Sequence, residues 1–238
     1  QAVVRKDGSV YVFFTEITPL GETKIRFLRS TDHGASFAPP ADAVATNVTY
    51  TGTLTPDLRQ PVRDGNVLFD VASDQSNGNL YLVWQDGRQL GVDRVAFSMS
   101  TNGGASWSQP VIIAKTPLNT NRYKMQSFVP SVEVGFGSTV YVTYYDFRND
   151  KAGTNGAEMA DYWAINCNPL LANCRSASGW GRETRLTSRS FDMLNAPFAG
   201  GYFLGDYQGL VRQGKDVRAL FGVTTGPGLT DMVTNTVR

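Results

Sequence analysis

The sequence predicts an all-β fold, a β-propeller of four-stranded antiparallel blades, and three observations carry that expectation. First, one strand recurs: Tyr11-Val-Phe-Phe-Thr-Glu16, Tyr81-Leu-Val-Trp-Gln-Asp86 and Tyr141-Val-Thr-Tyr-Tyr-Asp146 each place an acid five residues after a tyrosine, with the tyrosines 70 and 60 residues apart. Second, a turn follows at a fixed distance. Ser30-Thr-Asp-His-Gly-Ala-Ser-Phe37 and Ser100-Thr-Asn-Gly-Gly-Ala-Ser-Trp107 each begin 19 residues after their tyrosine. Third, helical periodicity is absent, and the chain carries 24 glycines, as a turn-rich β fold requires.

The repeated strands are rich in β-branched and aromatic residues and contain no proline, the composition of a half-buried pleated strand. In the turns, Asp32 or Asn102 accepts backbone N–H bonds, Gly34 or Gly104 supplies positive φ, and Ser30 or Ser100 adds a hydroxyl acceptor. Phe37 or Trp107 then packs the turn against its own sheet. A shortened third copy, Ser176-Ala-Ser-Gly-Trp180, begins 35 residues after Tyr141, displaced by an insertion holding Cys167 and Cys174.

Element by element, the first unit places strands at Tyr11–Glu16, Lys24–Arg29 and after Phe37. The second places them at Val67–Ala72, Leu80–Trp84, Arg94–Met99 and Gln109–Ala114. The third opens with Ser131–Val134 and Val140–Tyr144. The fourth runs through Tyr202–Val211, Val217–Thr224 and Asp231–Val237. Blades are expected at 1–50, 51–118, 119–195 and 196–238.

Composition narrows the function. Hydrophobic residues make up 41% and charged residues 18%, and 22 basic against 21 acidic residues leave a net charge of +1. This balance argues against nucleic-acid or membrane-surface binding by bulk charge. No apolar run approaches the roughly 20 residues that span a bilayer. The N-terminus is no signal peptide and opens in mid-pattern, which predicts that further sequence precedes it. Cys167 and Cys174 form either a local disulfide, fitting an oxidising compartment, or two reduced thiols. With His33 as the single histidine, the sequence argues strongly against a Ser-His-Asp triad and against a multi-His metal site.

The Ser-x-Asp-x-Gly-x-Ser-Trp/Phe turn resembles the Asp box of bacterial sialidases and related propellers. The segments LYLVWQDGR, VYVTYYDFRND and YFLGDYQGL resemble secreted bacterial proteins called sialidase-like. The resemblance implies six blades. At about 65 residues per blade, this chain holds roughly 3.7 and a complete ring needs about 390 residues. A fragment, or one piece of a nicked molecule, is therefore expected, with the remainder of the propeller as a separate segment; a closed four-bladed ring is the alternative.

Strand direction sorts the residues by face. The Asp-box turns lie on one face and read as scaffolding. The other face receives Glu16, Asp86 with Arg88, Asp146 with Arg148, Arg63 with Asp64, and Gly205-Asp206-Tyr207-Gln208-Gly209. The resemblance implies an exo-acting sialidase-type glycosidase: arginines clamp the sugar carboxylate, an Asp serves as acid/base, and a Tyr paired with a Glu is the nucleophile. Candidates are Arg63, Arg88 and Arg148 for the clamp, with Asp206 beside them, Asp86 or Asp146 for acid/base, Tyr207 for the nucleophile and Glu16 or Glu158 as its partner. The F-R-I-P segment that carries the family's first clamp arginine is absent. The competing readings make Asp86–Arg88 and Asp146–Arg148 braces between blades and the protein a non-catalytic glycan-binding or cell-surface interaction module, with Trp84, Tyr145 and Trp163 as sugar platforms. No cofactor is expected apart from a structural calcium at Asp146–Asp150 or Asp70–Asp74. The implied partner is an extracellular glycan and the implied location secreted or cell-surface, where the Asn47-Val-Thr49 sequon would be meaningful.

Overall fold

A computed structural model describes residues 1–44, 47–151 and 156–237. Strands β1 (Ala2–Val4), β2 (Val10–Ile17), β3 (Thr23–Ser30) and β4 (Ala41–Asp42) form the first antiparallel sheet in that order. After β5 (Val62–Arg63) comes the second: β6 (Phe69–Ser73), β7 (Leu80–Asp86), β8 (Arg94–Ser100) and β9 (Val111–Ile112). The third comprises β10 (Ser127–Val134), β11 (Val140–Asp146), β12 (Met159–Cys167) and β13 (Thr184–Arg185), with β14 (Phe191–Asp192) also paired to β12. Following β15 (Tyr202–Phe203), β16 (Gly209–Gln213), β17 (Asp216–Gly226) and β18 (Leu229–Val237) make a three-stranded fourth sheet.

The sheets stack face to face in chain order, and three apolar clusters fill the gaps between successive pairs. Tyr11, Phe13 and Phe27 meet Phe69, Val71 and Leu82 between the first two. Tyr81, Val83 and Phe97 meet Val132, Val142 and Tyr144 between the second and third. Phe128, Tyr145 and Tyr162 meet Val217, Ala219 and Phe221 between the third and fourth. Sheet position explains the sequence of each strand. Every residue of β7 and β8 is buried because their sheet is covered on both faces, so LYLVWQD reads as a continuous apolar run rather than an alternation. Most of β18 is exposed, and LTDMVTNTV is correspondingly rich in polar residues.

Both long turns form the same hydrogen-bonded knot. Ser30 Oγ accepts from Gly34 N at 2.8 Å while Asp32 Oδ1 accepts from Ser36 N at 2.9 Å. Ser100 Oγ accepts from Gly104 N and Asn102 Oδ1 from Ser106 N, each at 2.9 Å. The turn aromatics pack differently from expectation. Trp107 lies 6.0 Å from Phe13 and 6.3 Å from Phe27, on the preceding sheet rather than its own. Trp180 of the third unit likewise meets Phe97 of the second, edge-on at 4.8 Å. Phe37, with no preceding sheet among the described residues, stays 42% exposed.

Three expected elements change. Tyr202–Val211 is not one strand: β15 leaves to pair in parallel with β5, and β16 starts at Gly209. Strand β10 extends back to Ser127 through a bulge between Phe128 and Ser131, where Val129 takes φ 49° and Pro130 needs no ladder donor. Cys167 and Cys174 form a disulfide, with their Cα atoms 5.8 Å apart.

Candidate functional site

The first strands of the four sheets converge on a cavity of about 550 Å³ lined by Gln1, Asp70, Gln75, Glu133, Tyr207 and Gln208, among others. A second cavity of about 560 Å³ adjoins it, lined by Tyr50, Arg63, Asp64, Gly200 and Asp206. The two share a wall, since Asp206 faces one and Tyr207 the other. Gly205 makes this wall possible: at φ 113° it turns the chain where a side chain would be strained, and an added Cβ would stand 3.2 Å from the Gln208 amide. Buried Gln208 fixes the other end, accepting from Tyr145 Oη and Gly222 N, each at 3.1 Å.

The roof of the second cavity is the parallel pair of β5 and β15, which ties the connection after the first sheet to the connection before the fourth. Tyr202 N donates to Pro61 O at 2.9 Å. The close approach needs Gly201, whose added Cβ would lie 2.5 Å from Arg63 N. Beneath the roof, buried Asp64 accepts from Tyr50 Oη (2.8 Å), Thr53 N (2.9 Å) and Gln85 Nε2 (3.0 Å). Burial, then the Asp64 charge, drives the Tyr50 hydroxyl far above its ordinary range. Asp93 anchors the same loop, accepting from Thr51 N and Gly52 N, each at 2.9 Å, and burial pushes its carboxyl up to about 6.

In the axial cavity, Asp70 accepts from Val132 N at 2.8 Å and Val71 N at 2.9 Å, and Glu133 accepts from Val134 N at 2.7 Å. Burial raises both carboxyls, and the charge of Asp70 adds to the rise at Glu133. Tyr207 is 62% exposed at the mouth. Two carboxyl groups of raised proton affinity and a phenol around a polar hollow are the groups that acid/base chemistry on a bound ligand uses.

The residues singled out in the sequence meet different fates. Asp86 and Asp146 are fully buried and bonded to the arginines two residues on, so neither faces a cavity as a free acid. Arg88 Nε donates to Asp86 Oδ1 at 2.7 Å, and Trp84 Nε1 to Asp86 Oδ2 at 2.8 Å. Arg148 is held by Asp146 and Glu183 and lies 3.9 Å over the Trp163 ring. Thr116 Oγ1, from the preceding connection, completes Asp146 at 2.7 Å. These pairs have the geometry of braces. Arg63 meets Asp206 through two bonds, of 3.3 and 3.1 Å, while its guanidinium lies 4.4 Å over Phe203. Glu16 pairs with Arg26 at 3.0 Å, and Glu158 is turned to the backbone N–H groups of Asp57 and Leu58, so neither partners Tyr207. Trp84 and Tyr145 are fully buried and are not sugar platforms.

The calcium expectation meets occupied carboxylates: Asp146 holds Arg148, Asp150 holds Lys124 at 2.9 Å, and Asp74 accepts from Ser76 and Asn77. Among the described residues no group of three or more His, Cys, Asp or Glu side chains is placed to hold a metal ion, and no helix is long and apolar enough to cross a membrane.

The sequence reading missed Asp70 as a site residue and Glu133 altogether. Their signal was the strand pattern itself: Glu133 interrupts Ser131-Val-Glu-Val134 in a first strand, where one row of side chains lines the axis.

No family model matches the chain, and no curated protein matches it. Solved structures do match in fold. A Hadza microbial sialidase superposes with TM-score 0.56 at 15% identity, over 98% of this chain and 43% of its own. A Dyadobacter fermentans protein of unknown function gives 0.58 at 15% identity, over 99% of this chain and 51% of its own. An α-L-arabinofuranosidase from Lactobacillus brevis gives 0.52 at 14%, over 99% and 66%. This chain therefore spans about half the length of the first two. With two four-stranded antiparallel sheets, a third of five strands and a fourth of three, it shares the all-β fold of these structures.

Proposed function

We propose that this chain forms the sugar-facing part of a secreted, glycan-directed propeller of glycosidase type, holding a terminal sugar in the axial cavity. The observation that carries the reading is the meeting of Asp70, Glu133 and Tyr207 in one hollow where the first strands of all four sheets converge. Glycoside hydrolysis uses two carboxyl groups, one protonating the leaving oxygen and one assisting the attacking group. Glu133, whose proton affinity burial and the Asp70 charge raise, is the proton donor in this reading, and Asp70, held by the N–H groups of Val71 and Val132, is the assisting carboxylate. Tyr207 orients the sugar at the mouth. The disulfide supports an extracellular location. The matched serine turns are read as Asp boxes, and further blades complete the ring.

A second reading, a glycan-binding propeller without turnover, is favoured by one observation: Arg63, Arg88 and Arg148 each carry a carboxylate partner, so a three-arginine clamp for a sialic-acid carboxylate is not open. A panel of fluorogenic glycosides (α-sialoside, α-L-arabinofuranoside and β-D-xyloside) presented to the purified protein separates the two. Turnover that Glu133→Gln lowers by about 10²-fold or more supports catalysis. Glycan binding without turnover of any substrate replaces it with the binding reading.

A further inference from the structure

We infer that Arg59 and Arg122, converging on the Tyr123 ring, hold the sulfate or carboxylate group of a glycan at a subsite outside the axial cavity. The Arg59 guanidinium lies 3.7 Å from the Tyr123 ring centroid and that of Arg122 4.9 Å. Arg122 Nη2 also donates to Tyr123 Oη at 2.9 Å. The two arginines come from different connections, the one between the first and second sheets and the one between the second and third. Carboxylates meet Arg63, Arg88 and Arg148 on this face, but among the described residues no ion pair reaches Arg59 or Arg122.

Two like charges gathered on one ring repel each other, and an anion bound to either guanidinium fork lowers that repulsion. Three features hold the charges in place. Gln126 bonds Leu54 in both directions, donating to its carbonyl at 2.6 Å and accepting from its N–H at 3.0 Å. Asn121 Nδ2 donates to Pro56 O at 2.9 Å, and buried Glu158 accepts the N–H groups of Asp57 and Leu58. Arg59 itself is held at φ 57°, a left-handed conformation that an arginine rarely adopts. Asp57, an acidic side chain of the same junction, accepts from Asn121 at 3.2 Å. Arg122 lowers the ionisation range of the Tyr123 hydroxyl, chiefly through their hydrogen bond, so an anion that neutralises the pair also leaves a mark on Tyr123.

This inference names the substrate class of the proposed glycan-directed face and rests on that reading for the glycan, but its test does not depend on turnover. The probes are inorganic sulfate, compared with chloride at matched ionic strength, and three trisaccharides on one backbone: sulfated, uronic-acid-bearing and neutral. Sulfate is expected to shift the Tyr123 ring resonances and move its ionisation to higher pH. One of the two anionic sugars is expected to bind at least about tenfold more tightly than the neutral parent, and which one identifies the source of the anion. Arg59→Gln and Arg122→Gln should each remove that preference. Arg59→Gly should raise the melting temperature by relieving the left-handed backbone and still lower the affinity. A sulfate response or anionic preference that survives the Arg59→Gln/Arg122→Gln double variant overturns the inference, as does equal binding of the neutral sugar.

Discussion

Asp93 gives the loop over the second cavity a pH-dependent anchor, and the size of the effect follows from its surroundings. The carboxyl is fully buried and accepts from Thr51 N, Thr51 Oγ1 and Gly52 N. Burial, the larger effect, and the nearby Asp64 charge lift it from an ordinary 3.8 to about 6 in the folded chain. The folded state therefore binds a proton more tightly than the unfolded state, so this group's contribution to stability is greatest below pH 4. It falls as the pH rises to about 6 and is constant above that. Two units at 1.36 kcal/mol each make the fall about 3 kcal/mol. For a chain of this length that is a melting-temperature change of roughly 6–12 °C. The assay is thermal unfolding of wild type and Asp93→Asn at pH 4, 5, 6 and 7. Asn cannot ionise, so the variant, less stable at pH 4 through its mismatch with the Gly52 N–H, should gain on wild type by that amount by pH 7. Parallel profiles across the range refute the reasoning, because they would mean that Asp93 binds its proton no more tightly in the fold than out of it.

Three further outcomes follow from packing. Gly201→Ala drives a Cβ to 2.5 Å from Arg63 N and should part β5 from β15, costing about 1–3 kcal/mol and exposing the loop to limited proteolysis. Trp107→Ala removes the ring that joins the second sheet to Phe13 and Phe27 and should cost about 2–4 kcal/mol, whereas Phe37→Ala, at the equivalent turn position but exposed, should fall within about 0.5 kcal/mol of wild type in denaturant unfolding. Reducing Cys167–Cys174, which closes a loop with a sequence separation of 7, should lower stability by about 2–3 kcal/mol with little change at the cavities, read by unfolding with and without reductant.

The strands with strong periodic signals were legible from the chain alone: the Tyr-led second strands, the third strands ending at Ser30 and Ser100, and the turns that follow. Each is specified by neighbours within its own unit, so local pattern suffices. What was not legible depends on neighbours far away. The parallel meeting of Val62–Arg63 with Tyr202–Phe203 joins two-residue segments across most of the chain, too short to have a period. Trp107 carries no mark that it will pack on the preceding sheet rather than its own. The split fate of the acids has the same origin. Asp86 and Asp146, at strand ends beside an arginine two residues on, attract notice as candidate acids, and that same arginine occupies them. Asp70 and Glu133 sit inside ordinary-looking strands and become site residues through the convergence of the sheets alone.

The electrostatics of the loop face follow from this division. At a net charge of +1 the protein has little long-range field, and at physiological salt charges beyond about 8 Å are screened, so an anionic ligand is recognised at contact rather than steered. At contact the arginines are not equivalent. Arg88 and Arg148 spend their forks on fully buried carboxylates, and displacing either would strand a charge in the interior at a cost of several kcal/mol. The Arg63–Asp206 pair is partly exposed, so exchanging Asp206 for a ligand carboxylate strands nothing, yet Asp206 still competes for the fork. Arg59 and Arg122 face neither obstacle: both are exposed, both rest on an aromatic ring, and binding an anion there displaces no carboxylate. The face thus sorts its cations by how deeply their partners are buried. That ordering, from Arg59 and Arg122 through Arg63 to Arg88 and Arg148, is the order in which neutralising each should weaken an anionic ligand.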